Sequence, residues 1–240
     1  MRSIESASIF SRSWSLYDLI VENNYLCHSE IYTAVGAIIK SRGVLGEYRL
    51  LDLGCGNARY LARSLEQAPP ALYEGVDLSL TALDEARIYL KDMNCKVILT
   101  HSDLLQAVEA TEKKWDMVFT GFAVHHLSLQ EKERFFCAVG RCLSQDGWLL
   151  MVDVIRSENQ ERADYIDSYL SVVRAHWNKI PQDQLEEICA HVRNYDFPEC
   201  LSTLKEMAGD AGLHVAQLIN CYKQHCTILF SRTALSLANY

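Results

Sequence analysis

Several features that would assign this chain to other classes of protein are missing from its sequence. No run of about 18 apolar residues occurs, which predicts that the chain has no transmembrane helix. Its first residues lack the long apolar segment of a secretory signal, so we expect a cytoplasmic protein. The nine cysteines form no Cys-x-x-Cys pair and no cluster with histidine at zinc spacing. We therefore expect reduced cysteines and no bound metal.

Positive charge is also scarce in this chain. The formal net charge is −8, and Lys113-Lys114 is the only pair of adjacent basic residues. Nucleic-acid binding usually needs a basic patch that neutralises phosphates. The charge therefore favours a small-molecule partner over RNA or DNA. The sequence leaves the oligomeric state open between a monomer and a homodimer.

The most informative segment that is present covers residues 50–58, with the sequence LLDLGCGNA. It predicts a buried strand that runs into a tight turn, because Gly54 and Gly56 have no Cβ and let the backbone approach a ligand. Asp77 follows Gly56 by 21 residues and ends a second apolar run. This spacing suits a carboxylate that binds the two ribose hydroxyls of an adenosine cofactor.

Two other kinds of nucleotide site are disfavoured by the residues around these glycines. A dinucleotide-binding loop needs a third glycine, and this chain has Arg59 at that position. The Walker phosphate loop, Gly-x-x-x-x-Gly-Lys-Ser/Thr, is absent. A nicotinamide-dependent dehydrogenase therefore ranks last among the enzymes that we consider.

Five segments, taken in order and spacing, resemble the motifs of class I S-adenosylmethionine-dependent methyltransferases. They are residues 51–56, 75–79, 102–104, 116–126 and 147–152. The resemblance covers about residues 49–155. It implies S-adenosylmethionine as the cofactor and S-adenosylhomocysteine as its product, but it says little about the acceptor.

The resemblance implies specific roles for the residues of the first two motifs. Gly54 and Gly56 let the backbone approach the methionine part of the cofactor. Asp52 lies near the ammonium group of that part, and Asp77 binds the ribose hydroxyls. The alternative is that Asp52, Asp77 and Asp103 are only turn residues at strand ends. Three such acids in family order, together with the glycines, favour cofactor binding.

The later motifs imply contacts to the adenine and the sulfonium. Leu78 packs on the adenine face, and Asp103 accepts a hydrogen bond from the adenine amino group, with the Leu104 backbone alongside. Thr120 and Gly121 border the sulfonium at the end of the fourth strand.

The alternation of strands and helices predicts an α/β fold with an open, doubly wound, seven-stranded sheet of the Rossmann-like type. A hairpin near Lys223-Gln224 fits the reversed terminal strand of the family. We divide the chain into four parts: 1–48, an N-terminal helical lid; 49–155, the cofactor-binding core; 156–199, a helical cap inserted over the acceptor site; and 200–240, a C-terminal helix and hairpin that complete the sheet. Asn57 is expected to cap the helix that follows it.

The loop after the fourth strand holds the candidate catalytic residues, His125 and His126. Methyl transfer needs positioning and a nucleophile in its reactive state, and histidine can act as a base at neutral pH. A structural role is the alternative for each, since the family often carries a histidine pair at this point. Of the two, we expect His125 to lie nearer the acceptor.

Aromatic residues of the lid and the cap are candidates for ligand contacts. Tyr17 and Tyr25 resemble in position the lid aromatics that close over the cofactor in this family. The candidates for an acceptor pocket are Tyr25, Tyr169, His176, Trp177 and Tyr195. A stripe of aromatics at helical spacing can also be simple core. The isolated His28 and His191 are expected on the surface or in satisfied structural roles, and Asp153 either touches the acceptor or caps the next segment.

The preferred interpretation is a methyltransferase that acts on an oxygen or nitrogen atom of a small, aromatic or partly apolar molecule; methylation of carbon also stays open. The second is a protein or RNA methyltransferase, although the Asn/Asp-Pro-Pro-Tyr/Phe motif for planar amino groups is replaced by Thr120-Gly121-Phe122-Ala123. The third is a partner subunit that binds the cofactor without catalysis, because fold does not imply function.

Overall fold

The structure is a computed structural model that describes residues 14–43 and 46–234. The strands are β1 (Arg49–Leu53), β2 (Leu72–Asp77), β3 (Lys96–His101), β4 (Trp115–Gly121), β5 (Leu143–Arg156), β6 (Glu199–Cys200), β7 (Val215–Tyr222) and β8 (His225–Ser231). The helices are α1 (Trp14–Glu22), α2 (His28–Gly43), α3 (Arg59–Leu65), α4 (Leu80–Leu90), α5 (Leu104–Ala110), α6 (Leu129–Cys142), α7 (Arg162–His176), α8 (Gln182–Tyr195) and α9 (Leu201–Asp210), with a 3-10 turn at Val124–His126. The parts of the predicted lid and C-terminal segment at 1–13, 44–45 and 235–240 lie outside the described residues.

The strands form one sheet in the order β3-β2-β1-β4-β5-β8-β7. Strands β1 to β5 are parallel, and β8 is antiparallel to both of its neighbours. This confirms the predicted open α/β sheet with a reversed terminal strand. This path has the expected seven strands, and the two-residue β6 additionally pairs with the end of β5.

Each face of the sheet is covered by a separate apolar layer. Side chains alternate along the strands, so that Leu51 and Val118 face one layer while Leu50 and Met117 face the other. The first layer receives residues of α5, α6 and α9, and the second receives residues of α2, α3 and α4. The carboxyl ends of the central strands are left for a ligand, as in other open α/β sheets.

The turn between β1 and α3 differs in detail from the prediction. Ala58, and not Asn57, is the N-cap residue of α3, and its φ of 56° lies in the left-handed region. The Asn57 side chain instead accepts a hydrogen bond from the Arg59 backbone N–H at 3.2 Å. A left-handed conformation costs a residue with a Cβ about 1–2 kcal/mol. A glycine at this position would avoid that cost.

The segment predicted as a cap folds into α7 and α8, which pack against α1. A third apolar cluster joins Leu16 and Ile20 of α1 to residues of the cap, namely Tyr165, Ile166, Tyr169, Leu170, Val173, Trp177, Leu185, Ile188 and Val192. The lid and the cap therefore share one core, which the sequence did not indicate. The four-part division of the chain stays a prediction.

Two further observations concern the cysteines and the absence of a predicted transmembrane helix. Cys221 and Cys226 face each other across the β7–β8 hairpin, with their Cα atoms 4.1 Å apart, and the expectation that the cysteines are reduced stays a prediction. Among the described residues, no helix combines the length and the apolar character needed to span a membrane.

Candidate active site

A cavity of about 440 Å³ lies at the carboxyl ends of the parallel strands, between the sheet and the cap. This volume is within the range of about 300–1,000 Å³ that is typical of small-molecule sites. Its wall on the sheet side includes Gly54, Gly56, Asp77, Leu78, Asp103 and Leu104. Its wall on the cap side includes Tyr169, Trp177, Ile188, His191, Val192, Tyr195, Asp196 and Phe197. The structure thus brings the predicted cofactor motifs and most of the predicted acceptor residues to one space.

The glycine loop after β1 is held in a conformation that larger residues would not accept. Gly54 has φ 74° and Gly56 has φ 52°, and both lie in the left-handed region. A Cβ on Gly54 would be 2.7 Å from the Cβ of Ala123, which is too close for real atoms. Two consecutive backbone N–H groups, of Gly54 and Cys55, donate to the carbonyl of Val76 at 2.9 Å. The loop backbone is therefore fixed against β2 and exposed to the cavity.

Asp77 connects the first two motifs directly. Its Oδ2 accepts a hydrogen bond from the Gly56 backbone N–H at 2.8 Å, and its Oδ1 accepts one from the Ser79 N–H at 2.8 Å. Burial raises the pKa of the Asp77 carboxyl, and these backbone hydrogen bonds oppose the shift. Each carboxylate oxygen has a second lone pair, so this side chain can be a turn residue and still accept from ribose hydroxyls.

Asp103 also serves the fold and faces the cavity. Its Oδ1 caps α5 by accepting from the backbone N–H groups of Leu105 and Gln106, at 2.9 and 3.0 Å. The carboxyl group has a second oxygen and further lone pairs for a ligand donor. Leu78 and Leu104 lie beside it on the cavity wall, as an adenine site requires.

Two predicted cofactor residues, Asp52 and Thr120, do not line the cavity. Both are buried, with 1% and 0% of their surface exposed, so neither side chain reaches the cavity, and their roles at the cofactor stay predictions. Asp52 Oδ2 accepts a hydrogen bond from the Tyr73 hydroxyl at 2.6 Å, and burial raises the pKa of Asp52 to about 7. Asp52 Oδ1 and Thr120 Oγ1 have no hydrogen-bond partner among the described residues. Asp52 Oδ1 lacks a hydrogen-bond donor and lies in the strand that leads into the glycine loop, which is consistent with a nearby ligand ammonium group.

On the lid side, Tyr17 lines the cavity and rests on a buried histidine. The Tyr17 hydroxyl is 3.3 Å from His28 Nε2. His28 is 1% exposed, and its ring stacks on Tyr32 with centroids 5.8 Å apart. Burial lowers the pKa of His28 to about 3, with a further contribution from His225. His28 is therefore a buried, neutral residue, and since its Nδ1 has no hydrogen-bond partner among the described residues, it is neither on the surface nor fully satisfied as expected.

The predicted acceptor residues divide into two groups. Tyr169, Trp177 and Tyr195 line the cavity, as expected. His176 is exposed and lies outside the cavity wall, so this assignment is wrong. Tyr25 is also outside the wall; its ring stacks on Trp177, and its hydroxyl accepts a hydrogen bond from the Lys179 N–H at 3.0 Å. Adjacent positions on a helix point about 100° apart, so Trp177 can face inward while His176 faces solvent.

His125 is buried between two carboxylates. Its backbone N–H donates to Asp153 Oδ2 at 3.0 Å, its ring Nδ1 bonds to Asp153 Oδ1, and its Nε2 is 3.7 Å from Asp196 Oδ1. Burial alone would lower the pKa of His125, but Asp153 and Asp196 outweigh it and raise the pKa. The two carboxylates therefore determine the direction of the pKa shift of this ring.

His126 faces a different set of groups. Its Nδ1 is 3.2 Å from the Tyr195 carbonyl oxygen and 3.3 Å from Asp196 Oδ1. Its ring centroid is 4.0 Å from that of His125 and 5.4 Å from that of His191. His191 is buried and lines the cavity, and burial lowers its pKa to about 4. His191 was expected to be an isolated histidine on the surface or in a satisfied structural role, but it lies beside His126 on the cavity wall.

Sequence reasoning missed the residues that connect this histidine loop to the cap. Asp196 comes from the end of α8, 71 positions after His125, and no motif relates the two. The next residue, Phe197, donates its backbone N–H to the His125 carbonyl at 2.7 Å. Lys132 is 1% exposed; its Nζ bonds to the Phe197 carbonyl and to Glu199 Oε1 at 3.1 Å. Asp153, the other carboxylate beside His125, could be named from the sequence by its position at the end of the fifth strand, but Asp196, Phe197 and Lys132 could not.

Comparison with known proteins agrees with this site. Residues 50–147 match the family model described as a methyltransferase domain. Phosphoethanolamine N-methyltransferase of Plasmodium falciparum is 24% identical over 163 residues, which represent 65% of this chain and 57% of that protein. The chain thus matches little more than half of the length of this curated relative.

Solved structures with the same fold include proteins of similar size. Magnesium protoporphyrin IX methyltransferase from Synechocystis PCC 6803, solved with bound S-adenosylhomocysteine, has a TM-score of 0.66 at 15% identity, and the match covers 96% of this chain and 98% of that one. A plantazolicin methyltransferase has a TM-score of 0.57 at 15% identity, covering 86% and 72%. At such low identity these likenesses establish the fold alone.

Residues 50–147 thus match a methyltransferase domain, and the chain has the fold of solved methyltransferases. The magnesium protoporphyrin IX methyltransferase has also been solved with bound S-adenosylmethionine, the cofactor that the sequence predicts for this chain. The exposed glycine-loop backbone, the spare acceptor capacity of Asp77 and Asp103, and the unmatched oxygen of Asp52 all fit a ligand with ribose, adenine and ammonium groups.

Proposed function

We propose that this protein transfers a methyl group from S-adenosylmethionine to a small molecule that binds between the glycine loop and the cap. The observation that carries this proposal is the continuity of one cavity, which runs from Gly54 and Asp77 on the sheet to Trp177 and Tyr195 on the cap. The cap covers the acceptor end, which favours a small molecule over a protein or an RNA.

The cofactor supplies an activated methyl group on a sulfonium, and S-adenosylhomocysteine is the leaving group. The protein must therefore hold the acceptor atom in line with the sulfur–methyl bond and accept the proton that this atom loses. The carboxyl ends of β1 and β4 place the glycine loop and the histidine loop side by side. The distance between them is small, since Gly54 approaches Ala123 closely.

We assign the activation of the acceptor to the histidine–aspartate cluster, defined as His125, His126, Asp153 and Asp196. Three of its members, His125, His126 and Asp196, line the cavity. His125 is buried and its Nδ1 is bonded to Asp153, whereas His126 has 21% of its side chain exposed on the cavity wall, so we assign proton acceptance to His126. This assignment differs from our expectation that His125 lies nearer the acceptor.

The walls at the acceptor end indicate the kind of molecule that binds. Aromatic rings of Tyr169, Trp177 and Tyr195 stand beside the apolar Ile188 and Val192. Such walls favour an aromatic or partly apolar acceptor with a polar reactive atom. We also expect no nucleic-acid partner, because the chain has no dense group of basic residues.

The test is a transfer assay with methyl-labelled S-adenosylmethionine and a panel of phenols, carboxylic acids and amines. We expect labelled product with at least one class, and at least a tenfold loss of turnover in His126→Gln with S-adenosylhomocysteine affinity unchanged. His214→Gln, the same change at an exposed histidine outside the cavity wall, is the matched control. Cofactor binding without transfer to any member, and with transfer to protein or RNA instead, would contradict the proposal.

A further inference from the structure

We propose that His125, His126 and Asp196 form a binding site for a divalent transition-metal ion such as Zn²⁺ at the acceptor end of the cavity. Each residue offers one ligand atom, and these atoms lie within 4.8 Å of one another. Two imidazole nitrogens and one carboxylate oxygen are a common zinc donor set in catalytic sites, where the fourth position is open to water or substrate. The site itself stands on these residues, and only its catalytic role rests on the proposed function.

The spacing of the donor atoms suits tetrahedral coordination. Metal–ligand bonds of about 2.0–2.2 Å with tetrahedral angles place neighbouring ligand atoms roughly 3.3–3.5 Å apart. Asp196 Oδ1 is 3.3 Å from His126 Nδ1 and 3.7 Å from His125 Nε2. The two imidazole nitrogens lie within 4.8 Å of each other, so a movement of the rings towards each other brings all three atoms onto one ion.

Asp153 acts as the outer partner that histidine ligands of metals usually have. It accepts from the His125 ring at Nδ1, which leaves Nε2 as the nitrogen directed to Asp196. Asp153 is itself fixed, because its Oδ1 accepts from the Val154 N–H at 2.8 Å and its Oδ2 from the His125 N–H at 3.0 Å. A carboxylate–histidine–metal arrangement orients the ring and makes it a stronger ligand.

The Asp196 carboxylate gives an independent indication of a ligand. Asp196 is 7% exposed, and its Oδ1 has no well-aligned hydrogen bond among the described residues, although His126 Nδ1 lies 3.3 Å away and His125 Nε2 3.7 Å away. A cation between these atoms stabilises a buried carboxylate oxygen that is otherwise poorly compensated. His126 Nδ1 now donates its proton towards the Tyr195 carbonyl at 3.2 Å, so metal binding at this nitrogen breaks that contact and moves the proton to Nε2 or to solvent.

The position of the site gives the ion a function in the proposed reaction. All three ligands line the cavity, so the open coordination position faces the acceptor. A hydroxyl group bound to a divalent ion loses its proton more easily, because the charge of the ion stabilises the oxyanion. The substrate class that this site selects is therefore an oxygen nucleophile, a phenol or a related hydroxyl compound, whose proton is released as the metal-bound oxyanion forms.

The experiment measures metal binding directly in the full chain. Protein treated with a chelator is titrated with Co²⁺, whose visible absorption reports tetrahedral nitrogen and oxygen ligands, and with Zn²⁺ by calorimetry. We expect one ion per chain, a loss of affinity of at least 100-fold in Asp196→Asn, and a loss of about 10–100-fold in Asp153→Asn. His214→Gln is the matched control and should bind as the wild type does.

Binding of S-adenosylhomocysteine by each variant shows that the fold and the cofactor half are intact. Absence of stoichiometric binding, or equal affinity in wild type and Asp196→Asn, overturns the metal site. Methyl transfer that proceeds at the same rate in chelator-treated protein also overturns its catalytic role and leaves the proposed function standing. Metal binding by a protein that methylates no acceptor leaves the site standing and contradicts the proposed function.

Discussion

The ring of Tyr25 stacks on the ring of Trp177, with centroids 5.0 Å apart and planes 8° from parallel. Tyr25 follows α1 near the start of the described chain, whereas Trp177 ends α7 of the cap and lines the cavity. The Tyr25 hydroxyl also accepts from the Lys179 N–H. The lid therefore holds the cap residue that faces the acceptor, and the two segments are expected to respond together to a mutation in either.

Replacing Tyr25 with leucine tests this coupling. Tyr25→Leu removes the stacking and the bond to Lys179, and we expect the free energy of unfolding to fall by about 1–2 kcal/mol. The KM for the acceptor should rise because Trp177 loses its support, while affinity for S-adenosylhomocysteine should stay constant. Tyr25→Phe, which keeps the stacking, is the control and should change both quantities less. Equal effects of the two variants would remove the role given to the stacking.

Asp77 is expected to be the main determinant of ribose binding. Asp77→Asn replaces one of the two acceptor oxygens with an NH2 group, which is a donor, so one of the hydrogen bonds from the Gly56 and Ser79 N–H groups is lost. The charge that strengthens bonds to ribose hydroxyls is lost as well. We expect the affinity for S-adenosylhomocysteine to fall by about 1–3 kcal/mol in calorimetry. Asp84→Asn, the same change on the exposed surface of α4, should bind normally. An unchanged affinity in Asp77→Asn would refute the assignment.

Asp52 is predicted to act on the ammonium group of the cofactor from behind the glycine loop. Asp52→Asn keeps an oxygen for the Tyr73 hydroxyl but removes the negative charge. We expect weaker binding of S-adenosylhomocysteine, by about tenfold, and unchanged binding of methylthioadenosine, which lacks the amino-acid part. Equal losses for both ligands would instead mean that the variant disturbs the loop, and equal affinities would mean that the carboxylate does not contribute.

The buried histidines predict a specific dependence of stability on pH. Burial lowers the pKa of His225 to about 4, below the unfolded value of about 6.5, so only the unfolded chain takes up this proton between these values. The group therefore reduces stability as pH falls from 6.5 towards 4, by up to about 1.4 kcal/mol per pH unit.

The measurement compares wild type with His225→Gln by urea unfolding at several pH values. At pH 7.5 the variant should be less stable, since it loses the contact of His225 with the Tyr169 hydroxyl at 3.3 Å. That deficit should shrink, or change sign, between pH 6 and pH 5, because the variant has no proton to take up at this position. A difference between the two proteins that stays constant over this range would contradict the buried, neutral assignment.

The parts of the site that the sequence predicted are those set by local chain geometry. Gly54, Gly56 and Asp77 could be assigned because a strand end, a tight turn and the next strand end must meet in a parallel βαβ unit. Asp52 was correctly placed next to this turn, but a strand residue alternates between faces. The sequence could not say that its side chain points into the core towards Tyr73.

The parts that the sequence missed depend on long-range packing. Asp196 and His191 reach His126 only because α8 folds back over the strand ends, and no spacing rule relates positions so far apart. Helical periodicity showed that one side of the cap is apolar, but not what that side faces. The sequence therefore assigned both His176 and Trp177 to the acceptor pocket, whereas only Trp177 lines the cavity. The proximity of Cys221 and Cys226 was missed for a similar reason, since the two residues meet through the register of the β7–β8 hairpin.

The central claim is that the cavity binds S-adenosylmethionine through the glycine loop and Asp77. The most direct test is calorimetric titration of the purified chain with S-adenosylmethionine, S-adenosylhomocysteine and NAD. We predict one site with micromolar affinity for each of the first two ligands and no heat of binding for NAD. Binding of NAD, or no binding of either sulfur compound, would contradict this account.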